Sequence, residues 1–303
     1  MKSPALPARI GVVEFDALHD DPAAWREVMI SIAGEHAAGP LRQMDQGTVL
    51  VALLGQEQVI KLYPPFLRDH FEFERAVLER LGGRLRVPTP RLVTTGARDG
   101  WPYLVMTQLA GEPMETAWTS LDEAARCAVL MQLGALAAEV HALPVGDIET
   151  RAPNWERFLR QQRERCAARQ QRTGLPPHLQ AQLQAFMQGE VPAGPPVILT
   201  GEYTPMNLLA INGSLAGMYD FGDGLVGPRE YDWLGPLVFL AAGHAARREA
   251  FFQGYGAAPG AAQRLALLRL LLLHRYSNLQ AQIALPGWQQ AGSFEELAER
   301  LWP

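Results

Sequence analysis

The spacing of apolar residues changes along the chain, from short alternating segments in the first third to helical periodicity in the rest. Near the amino terminus, Asp21-Pro22 is typical of a helix start, and apolar residues follow it at helical spacing, at Trp25, Val28, Met29 and Ile32. Short apolar runs separated by turn residues then predict strands, at residues 41–44, 49–54, 58–62, 91–95 and 103–107, with a helix at 67–81. The first third is therefore predicted to be a small antiparallel sheet with helices.

After Gly111 the pattern becomes mainly helical. Ser120-Leu-Asp-Glu123 has the spacing of a capping box that begins a helix ending near Leu143, and a basic stretch at 151–172 predicts a further helix. One short β segment follows, with strands at 197–199, 208–211 and 215–219 and a hairpin turn at Asn212-Gly213. Helices are predicted from about Tyr231 onward, so the sequence indicates an α+β protein whose character changes near residue 110.

Composition excludes several classes of protein. The 303 residues are 48% hydrophobic and carry a net charge of −5, which gives no general attraction to nucleic acid or to anionic lipid. The two cysteines, Cys127 and Cys166, are too few for a disulfide framework or a zinc site, and the apolar runs fall short of the ~20 residues of a membrane span. We therefore expect a cytoplasmic protein, a monomer or weak dimer, with small-molecule or protein partners.

Lysine is rare in this chain, and one of its two lysines precedes by 13 positions a glutamate that lies on an apolar helix face. Of 27 basic residues only Lys2 and Lys61 are lysine, so Lys61 calls for a specific reason. A helical projection of residues 71–81 places Glu74 in the middle of the apolar face, where a carboxylate is costly unless it is paired. We predict that Lys61 pairs with Glu74; the alternatives are a surface lysine and a tolerated mid-face charge.

The predicted hairpin has a consequence for two polar residues. Counting back from Asn212-Gly213 pairs Asn207 approximately with Met218, which places Asn207 and Asp220 at the same open end of the hairpin. Amide and carboxylate oxygens of this kind suit Mg²⁺, which takes one or two protein ligands and fills its other positions with water and phosphate. Alternatively, Asn207 caps a turn and Asp220 merely ends a strand.

The segments around these residues resemble a known family. Residues 200–207, Thr-Gly-Glu-Tyr-Thr-Pro-Met-Asn, and residues 219–223, Tyr-Asp-Phe-Gly-Asp, resemble the catalytic segments of the aminoglycoside phosphotransferase and choline kinase superfamily, H-G-D-x-x-x-x-N and I-D-F/W/L. The resemblance implies a protein-kinase-like fold of two lobes, a nucleotide-binding N-lobe at residues 1–108 and a helical C-lobe at 109–303 with the catalytic loop and acceptor site. It also implies Glu202 as the catalytic carboxylate and Asn207 and Asp220 as Mg²⁺ ligands. Two departures are that Thr200 replaces the histidine and that Glu202 is one methylene longer than aspartate.

The same resemblance implies roles for residues outside the hairpin. Lys61, paired with Glu74, would contact the phosphates, because a compact ammonium fits between a carboxylate and two phosphates. The nucleotide would also lie against the loop at Gly47 and Thr48, and its adenine against backbone groups near Thr107 and Leu109. Pro228-Arg-Glu-Tyr-Asp232 resembles the family's D-P-x-x-D-L segment, which makes Asp232 a buried brace for the catalytic loop, and His141 is interpreted as a structural histidine.

Further local matches indicate a group within the superfamily. Residues 59–62, 87–92, 101–106 and 294–302 are similar to the streptomycete-type hygromycin B phosphotransferases. The implied reaction moves the γ-phosphoryl group of ATP or GTP, with Mg²⁺, to a hydroxyl of a small cationic acceptor such as an aminoglycoside, as in antibiotic resistance. Asp223 and Glu230 would help to receive the acceptor, or would face solvent.

Two other functions stay open at this point. Thr200 and Glu202 are also compatible with a nucleotide-binding pseudokinase or regulatory protein. A kinase of another metabolite, such as a sugar or an amino alcohol, is the second alternative.

Overall fold

The computed structural model describes residues 6–36, 39–44, 47–201, 203–257, 260 and 263–303, and the chain forms two compact units. The first unit comprises Met1–Ala110 together with Tyr219–Gly222, and the second comprises Gly111–Met218 and Asp223–Pro303. The short segment that carries Asp220 is therefore part of the first unit by its contacts, although the chain on both sides of it is part of the second.

The first unit contains a five-stranded antiparallel sheet in the order β1-β2-β3-β5-β4. Its strands are β1 Leu41–Met44, β2 Leu50–Leu54, β3 Gln58–Leu62, β4 Leu92–Arg98 and β5 Trp101–Thr107, and its helices are α1 Val12–His19, α2 Pro22–Glu35 and α3 Arg68–Leu81. The five strands and the last two helices confirm the prediction from the sequence, and α1 is an addition to it.

The two faces of this sheet explain where Lys61 points. Ile60 and Leu62 of β3 are fully buried, in one cluster with Trp25 and Met29 of α2. Successive side chains of a strand project to opposite faces, so Lys61 projects from the other face of the sheet. The alternation of β3 thus separates the apolar core from the one lysine of the sheet.

The second unit is mainly helical, as predicted. Its helices are α4 Met114–Ser120, α5 Glu123–His141, α6 Trp155–Arg172, α7 Pro177–Phe186, α8 Glu230–Gly235, α9 Ala245–Tyr255, α10 Gln263–Leu272, α11 Leu279–Gln282 and α12 Phe294–Leu301. Strands β6 Glu112–Pro113, β8 Leu208–Ile211 and β9 Ser214–Met218 form one sheet, and β7 Pro196–Leu199 pairs with β10 Leu225–Pro228 in another. No helix in the described part of the chain has the length and apolarity needed to cross a membrane.

Two helix boundaries differ from the prediction. Ser120 is the last residue of α4, and the N-cap of α5 is Asp122, whose Oδ1 accepts a hydrogen bond from the Ala125 N–H at 2.8 Å. Asp122 is as strong an N-cap residue as Ser120, so the capping-box pattern placed the start of α5 too early. The predicted helix at 151–172 begins only at Trp155, because Asn154 caps it through the Arg157 N–H at 3.0 Å.

The β structure of this unit is also larger than predicted. The sequence indicated neither β6 nor β10, and β7 pairs with β10 rather than adding to the β8–β9 hairpin. Gly227 and Pro228 give β10 a weak strand pattern. A Cβ on Gly227 would lie 2.6 Å from Cε3 of Trp155, so the packing of the Trp155 ring explains this glycine.

Helices α5 and α9 cross at two glycines. A Cβ on Gly134 of α5 would lie 2.0 Å from the backbone oxygen of Phe251, and a Cβ on Gly254 of α9 would lie 1.9 Å from that of Met131. Backbone atoms cannot move aside as a flexible side chain can, so the two helices approach this closely only because both positions lack a side chain. The crossing also sets the places of His141 at the end of α5 and Tyr255 at the end of α9.

Gly134→Ala is therefore expected to destabilise the protein by about 1–3 kcal/mol or more, because the added methyl group overpacks the α5–α9 contact. The free energy of unfolding, from denaturant titration, measures the effect. Gly34→Ala in α2 is the matched control, because nothing lies within 4 Å of its Cβ and alanine is the better helix former by up to about 1 kcal/mol. Opposite signs for the two variants are expected, and equal effects would contradict the close crossing.

Candidate active site

Lys61 is held by two carboxylates of the first unit. Its Nζ donates hydrogen bonds to Oε1 and Oε2 of Glu74, at 2.7 and 3.0 Å, and to Oδ1 of Asp220 at 2.7 Å. The pairing of Lys61 with Glu74 predicted from the sequence is confirmed. An ammonium has three donors, and here all of its contacts go to carboxylate oxygens.

Glu74 is the centre of this group. Its carboxylate is completely buried and also accepts hydrogen bonds from the Tyr63 hydroxyl and from the Phe221 N–H, the latter at 3.3 Å. A Cβ on Gly222 would lie 3.2 Å from Glu74 Oε2, so the close approach of this segment favours glycine. The buried carboxylate thus joins α3, the end of β3 and the Tyr219–Gly222 segment through hydrogen bonds.

Sequence reasoning missed Tyr63, Phe221 and Gly222 as partners of Glu74. A signal for Tyr63 was present, because residues two apart on a strand share a face and Tyr63 follows Lys61 by two. The contacts of Phe221 and Gly222 depend on the path of a segment distant in sequence, which no local pattern encodes.

The carboxylates control the charge of Lys61. Burial by itself lowers the pKa of Lys61, but the charges of Asp220 and Glu74 outweigh it and raise the pKa above its ordinary value. Burial raises the pKa of Glu74, against the opposing effect of the Lys61 ammonium. Lys61 is therefore a fixed cation at physiological pH, available to bind an anion.

Asp220 is the accessible member of the group. Its side chain is 41% exposed, whereas that of Glu74 is 1% exposed. Its φ of +68° is a left-handed conformation that residues other than glycine rarely adopt, and such backbone is typical of functional sites. An accessible carboxylate next to a fixed cation has the oxygen chemistry that Mg²⁺ prefers.

Asn207, the other predicted metal ligand, lies in the second unit. It ends a short 3₁₀ turn, Pro205–Asn207, directly before β8, and its N–H donates to the Thr204 oxygen at 3.0 Å. The predicted register was wrong by one residue: Leu208, not Asn207, pairs with Met218, because the ladder is irregular between Leu209 and Ala210. Asn207 still lies at the open end of the hairpin.

The described residues contain no cluster of three or more His, Cys, Asp or Glu side chains that could hold a metal. Mg²⁺ is bound by few protein groups where phosphates supply its other ligands, and the carboxylate of Asp220 in the first unit and the amide of Asn207 in the second are each oxygen donors of the kind that it prefers.

A second group of buried residues supports the loop before Asn207. Asp232 accepts hydrogen bonds from the backbone N–H groups of Thr200 at 3.0 Å and Gly201 at 2.7 Å, and its side chain is completely buried. Nε2 of His141 lies 3.1 Å from the same carboxylate, and Nδ1 of His141 lies 2.9 Å from the Tyr255 hydroxyl. The interpretation of Asp232 as a brace and of His141 as a structural residue is confirmed.

Other predicted site residues have simpler surroundings. Glu202 lies outside the described residues. Gly47, with φ of +125°, and Thr48 lie in the connection between β1 and β2. Thr107 ends β5, its N–H donates to the Arg91 oxygen and its hydroxyl accepts from the Arg91 N–H, both at 2.9 Å, and Leu109 follows two residues later.

The two carboxylates expected near the acceptor differ in their partners. Asp223 is paired with Arg275 at 2.5 Å and with the Tyr276 hydroxyl at 2.8 Å. Glu230 is 7% exposed and lies 3.6 Å from Arg229. Neither carboxylate is a freely solvated charge.

Comparison with known proteins places this arrangement in a family. A model described as "Phosphotransferase enzyme family" matches residues 41–268, which is well over half of the chain. The chain belongs to this phosphotransferase family. The match includes Lys61, Glu74, Asn207 and Asp220, and it extends beyond Asp232.

Solved structures show the same fold at low sequence identity. The GDP and kanamycin complex of APH(2″)-IIia has a TM-score of 0.68 and 19% identity, over 84% of this chain and 89% of that one. The GDP complex of wild-type aminoglycoside 2′-phosphotransferase-IIIa has a TM-score of 0.67 and 19% identity, over 93% and 98%. Macrolide 2′-phosphotransferase MphH from Brachybacterium faecium, an apoenzyme, has a TM-score of 0.61 and 18% identity, over 91% and 98%.

The comparison with curated proteins gives no significant match. The structural likeness nevertheless shows that this member of the phosphotransferase family has the α+β, two-lobed, kinase-like fold that the resemblance implied.

Proposed function

We propose that the protein is a small-molecule kinase that transfers the γ-phosphoryl group of ATP or GTP to a hydroxyl of an aminoglycoside-like acceptor. The observation that carries the proposal is the buried Lys61–Glu74 pair with Asp220 as the exposed third member, in a chain of the phosphotransferase family. Phosphoryl transfer requires little covalent chemistry from the protein, which mainly positions the reactants and neutralises charge.

Lys61 would bind the nucleotide phosphates by exchanging one of its hydrogen-bond acceptors. Its bonds to Glu74 are completely buried, whereas the bond to Asp220 lies at the exposed side of the group. A phosphate oxygen would therefore replace Asp220 and leave the Glu74 pair intact. The bond released on Asp220 makes that carboxylate available as a metal ligand.

The remaining nucleotide contacts are proposed for the segments that follow β1 and β5 of the first sheet. The loop with Gly47 and Thr48 would cover the phosphates. The backbone N–H of Thr107 already donates to Arg91, whereas Leu109 makes no backbone hydrogen bond to any residue that the structure describes. We therefore assign the adenine contact to the backbone of Leu109, with Thr107 setting the end of β5.

Asn207 and Asp220 would hold Mg²⁺, which neutralises charge on the β- and γ-phosphates when it is bound. Glu202 would accept or orient the proton of the acceptor hydroxyl, and proximity supplies much of the remaining rate acceleration. The brace from Asp232 to Thr200 and Gly201 would fix the loop that leads to Glu202.

The acceptor is proposed from similarity. The similar structures include a streptomycin–ATP complex, a GDP and kanamycin complex and a macrolide phosphotransferase. Together with the local likeness to hygromycin B phosphotransferases, these make a hygromycin-like aminoglycoside the first acceptor to test and leave both ATP and GTP as donors.

The function is tested by nucleotide consumption with a panel of hydroxylated acceptors, including aminoglycosides, macrolides, sugars and amino alcohols, in the presence of Mg²⁺. We expect acceptor-dependent turnover that needs Mg²⁺. Turnover with a sugar or amino alcohol alone would assign a different metabolite kinase. Nucleotide binding without turnover on any acceptor would favour the pseudokinase alternative, which Thr200 and Glu202 motivate.

Asp220→Ala is expected to abolish the part of nucleotide stabilisation that depends on Mg²⁺, because the variant lacks the accessible carboxylate. In the wild type the thermal shift should follow RT ln(1 + [L]/Kd) and should be larger with Mg²⁺ than without it. Asp99→Ala is the matched control, since Asp99 is the other aspartate with positive φ among the described residues. Equal Mg²⁺ effects in all three proteins would refute Asp220 as a ligand.

A further inference from the structure

The carboxylate of Asp223 is fixed on both oxygens. Arg275 donates from Nη1 to Oδ1 at 2.5 Å, and the Tyr276 hydroxyl donates to Oδ2 at 2.8 Å. The Asp223 and Arg275 side chains are only 15% and 19% exposed, so this pair is less screened by solvent than a surface ion pair. Its charge is already balanced, which makes Asp223 a poor receptor for an acceptor ammonium group.

The turn that carries Arg275 and Tyr276 is itself held from α6. Arg169, which is 9% exposed, donates to the backbone oxygens of Leu272 at 2.8 Å and Arg275 at 3.3 Å. A cation at the carboxyl end of α10 satisfies carbonyl groups that the helix leaves without partners. The Arg275 guanidinium also lies 5.8 Å from the centre of the Phe158 ring. The anchor of Asp223 is therefore built on two helices.

Asp223 is close along the chain to the proposed metal ligand. It lies three positions after Asp220, so their Cα atoms are at most about 11 Å apart. On the other side, Met218 pairs with Leu208 in the β8–β9 ladder. The Tyr219–Gly222 segment is thus tied at both ends, and Asp220 within it has the unfavourable φ of +68°. Such a conformation persists only where the surroundings determine it.

We propose that Arg275 and Tyr276 are positioning residues that fix Asp223 and thereby hold Asp220 in the orientation needed for the magnesium nucleotide. The metal part of this inference rests on the proposed function. The anchoring part concerns the protein without ligand and is measured separately.

The experiment compares Tyr276→Phe and Arg275→Gln with the control Glu123→Gln. Tyr276 is 49% exposed, so loss of its hydroxyl spares the fold. Glu123 forms a pair of similar geometry with Arg247, at 2.7 and 2.6 Å, far along the chain from residues 219–224. Both Arg275→Gln and Glu123→Gln are expected to lower the thermal midpoint, Glu123→Gln by less, because the Glu123 side chain is 52% exposed and its pair is more screened by solvent.

Two readouts test the proposal. Without nucleotide, amide hydrogen exchange in residues 219–224 should become about threefold faster or more in both anchor variants and stay unchanged in Glu123→Gln. With nucleotide and acceptor, the half-saturating Mg²⁺ concentration should rise about three- to tenfold in the anchor variants, while kcat at saturating Mg²⁺ changes less.

The outcomes are distinguishable. Unchanged exchange in residues 219–224 overturns the anchor, whatever the activity. Faster exchange with an unchanged Mg²⁺ dependence and a raised acceptor KM also overturns the proposal, because Asp223 would then act on the acceptor. If the wild type shows no Mg²⁺-dependent transfer, the proposed function fails while the exchange data still decide whether the anchor exists.

Discussion

Lys61→Arg is expected to lower turnover by about a hundredfold or more, the usual effect of removing a well-placed electrostatic group, although the positive charge is kept. The ammonium of Lys61 makes three short contacts to Glu74 and Asp220. A planar guanidinium is larger and presents its donors in a fixed fork, so it cannot keep these contacts and reach the phosphates in the same space.

The measurement is steady-state transfer with the chosen acceptor, together with nucleotide affinity and the thermal midpoint. Some destabilisation, about 1–3 kcal/mol, is expected from overpacking around the buried Glu74. Lys2→Arg is the matched control, because Lys2 is the other lysine of the chain. Kinetics of Lys61→Arg equal to those of the wild type would remove Lys61 from the site.

Glu202→Gln is expected to lose about 10²- to 10⁴-fold in turnover, as is typical when a general base is removed. The amide cannot accept the hydroxyl proton, but it preserves the size of the side chain, so nucleotide affinity should barely change. Asp232 holds the Thr200 and Gly201 backbone through hydrogen bonds, so we do not expect these two residues to shift and compensate for a shorter side chain at position 202. Glu202→Asp should therefore also be poor.

The control for this prediction is Glu299→Gln, the same substitution at an exposed glutamate of α12. The measurement is kcat and nucleotide affinity for each variant. A wild type without transfer to any acceptor, combined with activity created by Glu202→Asp, would mean that the chain is a retired kinase, and the pseudokinase alternative would replace the proposed function.

Local sequence patterns predicted the structure correctly where apolar periodicity or the cost of one buried charge dominates. The strands of the first sheet and helix α3 follow from short-range alternation and periodicity, and Glu74 on the apolar face of α3 required a buried cation. Lys61 was the available partner, so the contact between Lys61 and Glu74 could be predicted from the sequence. The pairing of β7 with β10 shows the opposite case. A strand was predicted at 197–199, but Gly227 and Pro228 give β10 only a weak strand pattern, and the residues that pair lie about 30 positions apart in the sequence.

The two-part α+β organisation and the pairing of Lys61 with Glu74 could be predicted from the sequence, and motifs that resemble the phosphotransferase family indicated phosphoryl transfer. These depend on periodicity, on the cost of an unpaired buried charge and on motif spacing, all of which are readable along the chain. Three features could not be predicted in this way: the left-handed conformation of Asp220, the pairing of Leu208 rather than Asn207 with Met218, and the contacts of Arg275 and Tyr276 with Asp223. Such features arise from contacts between segments far apart in sequence, whose energies depend on distances that no local pattern specifies.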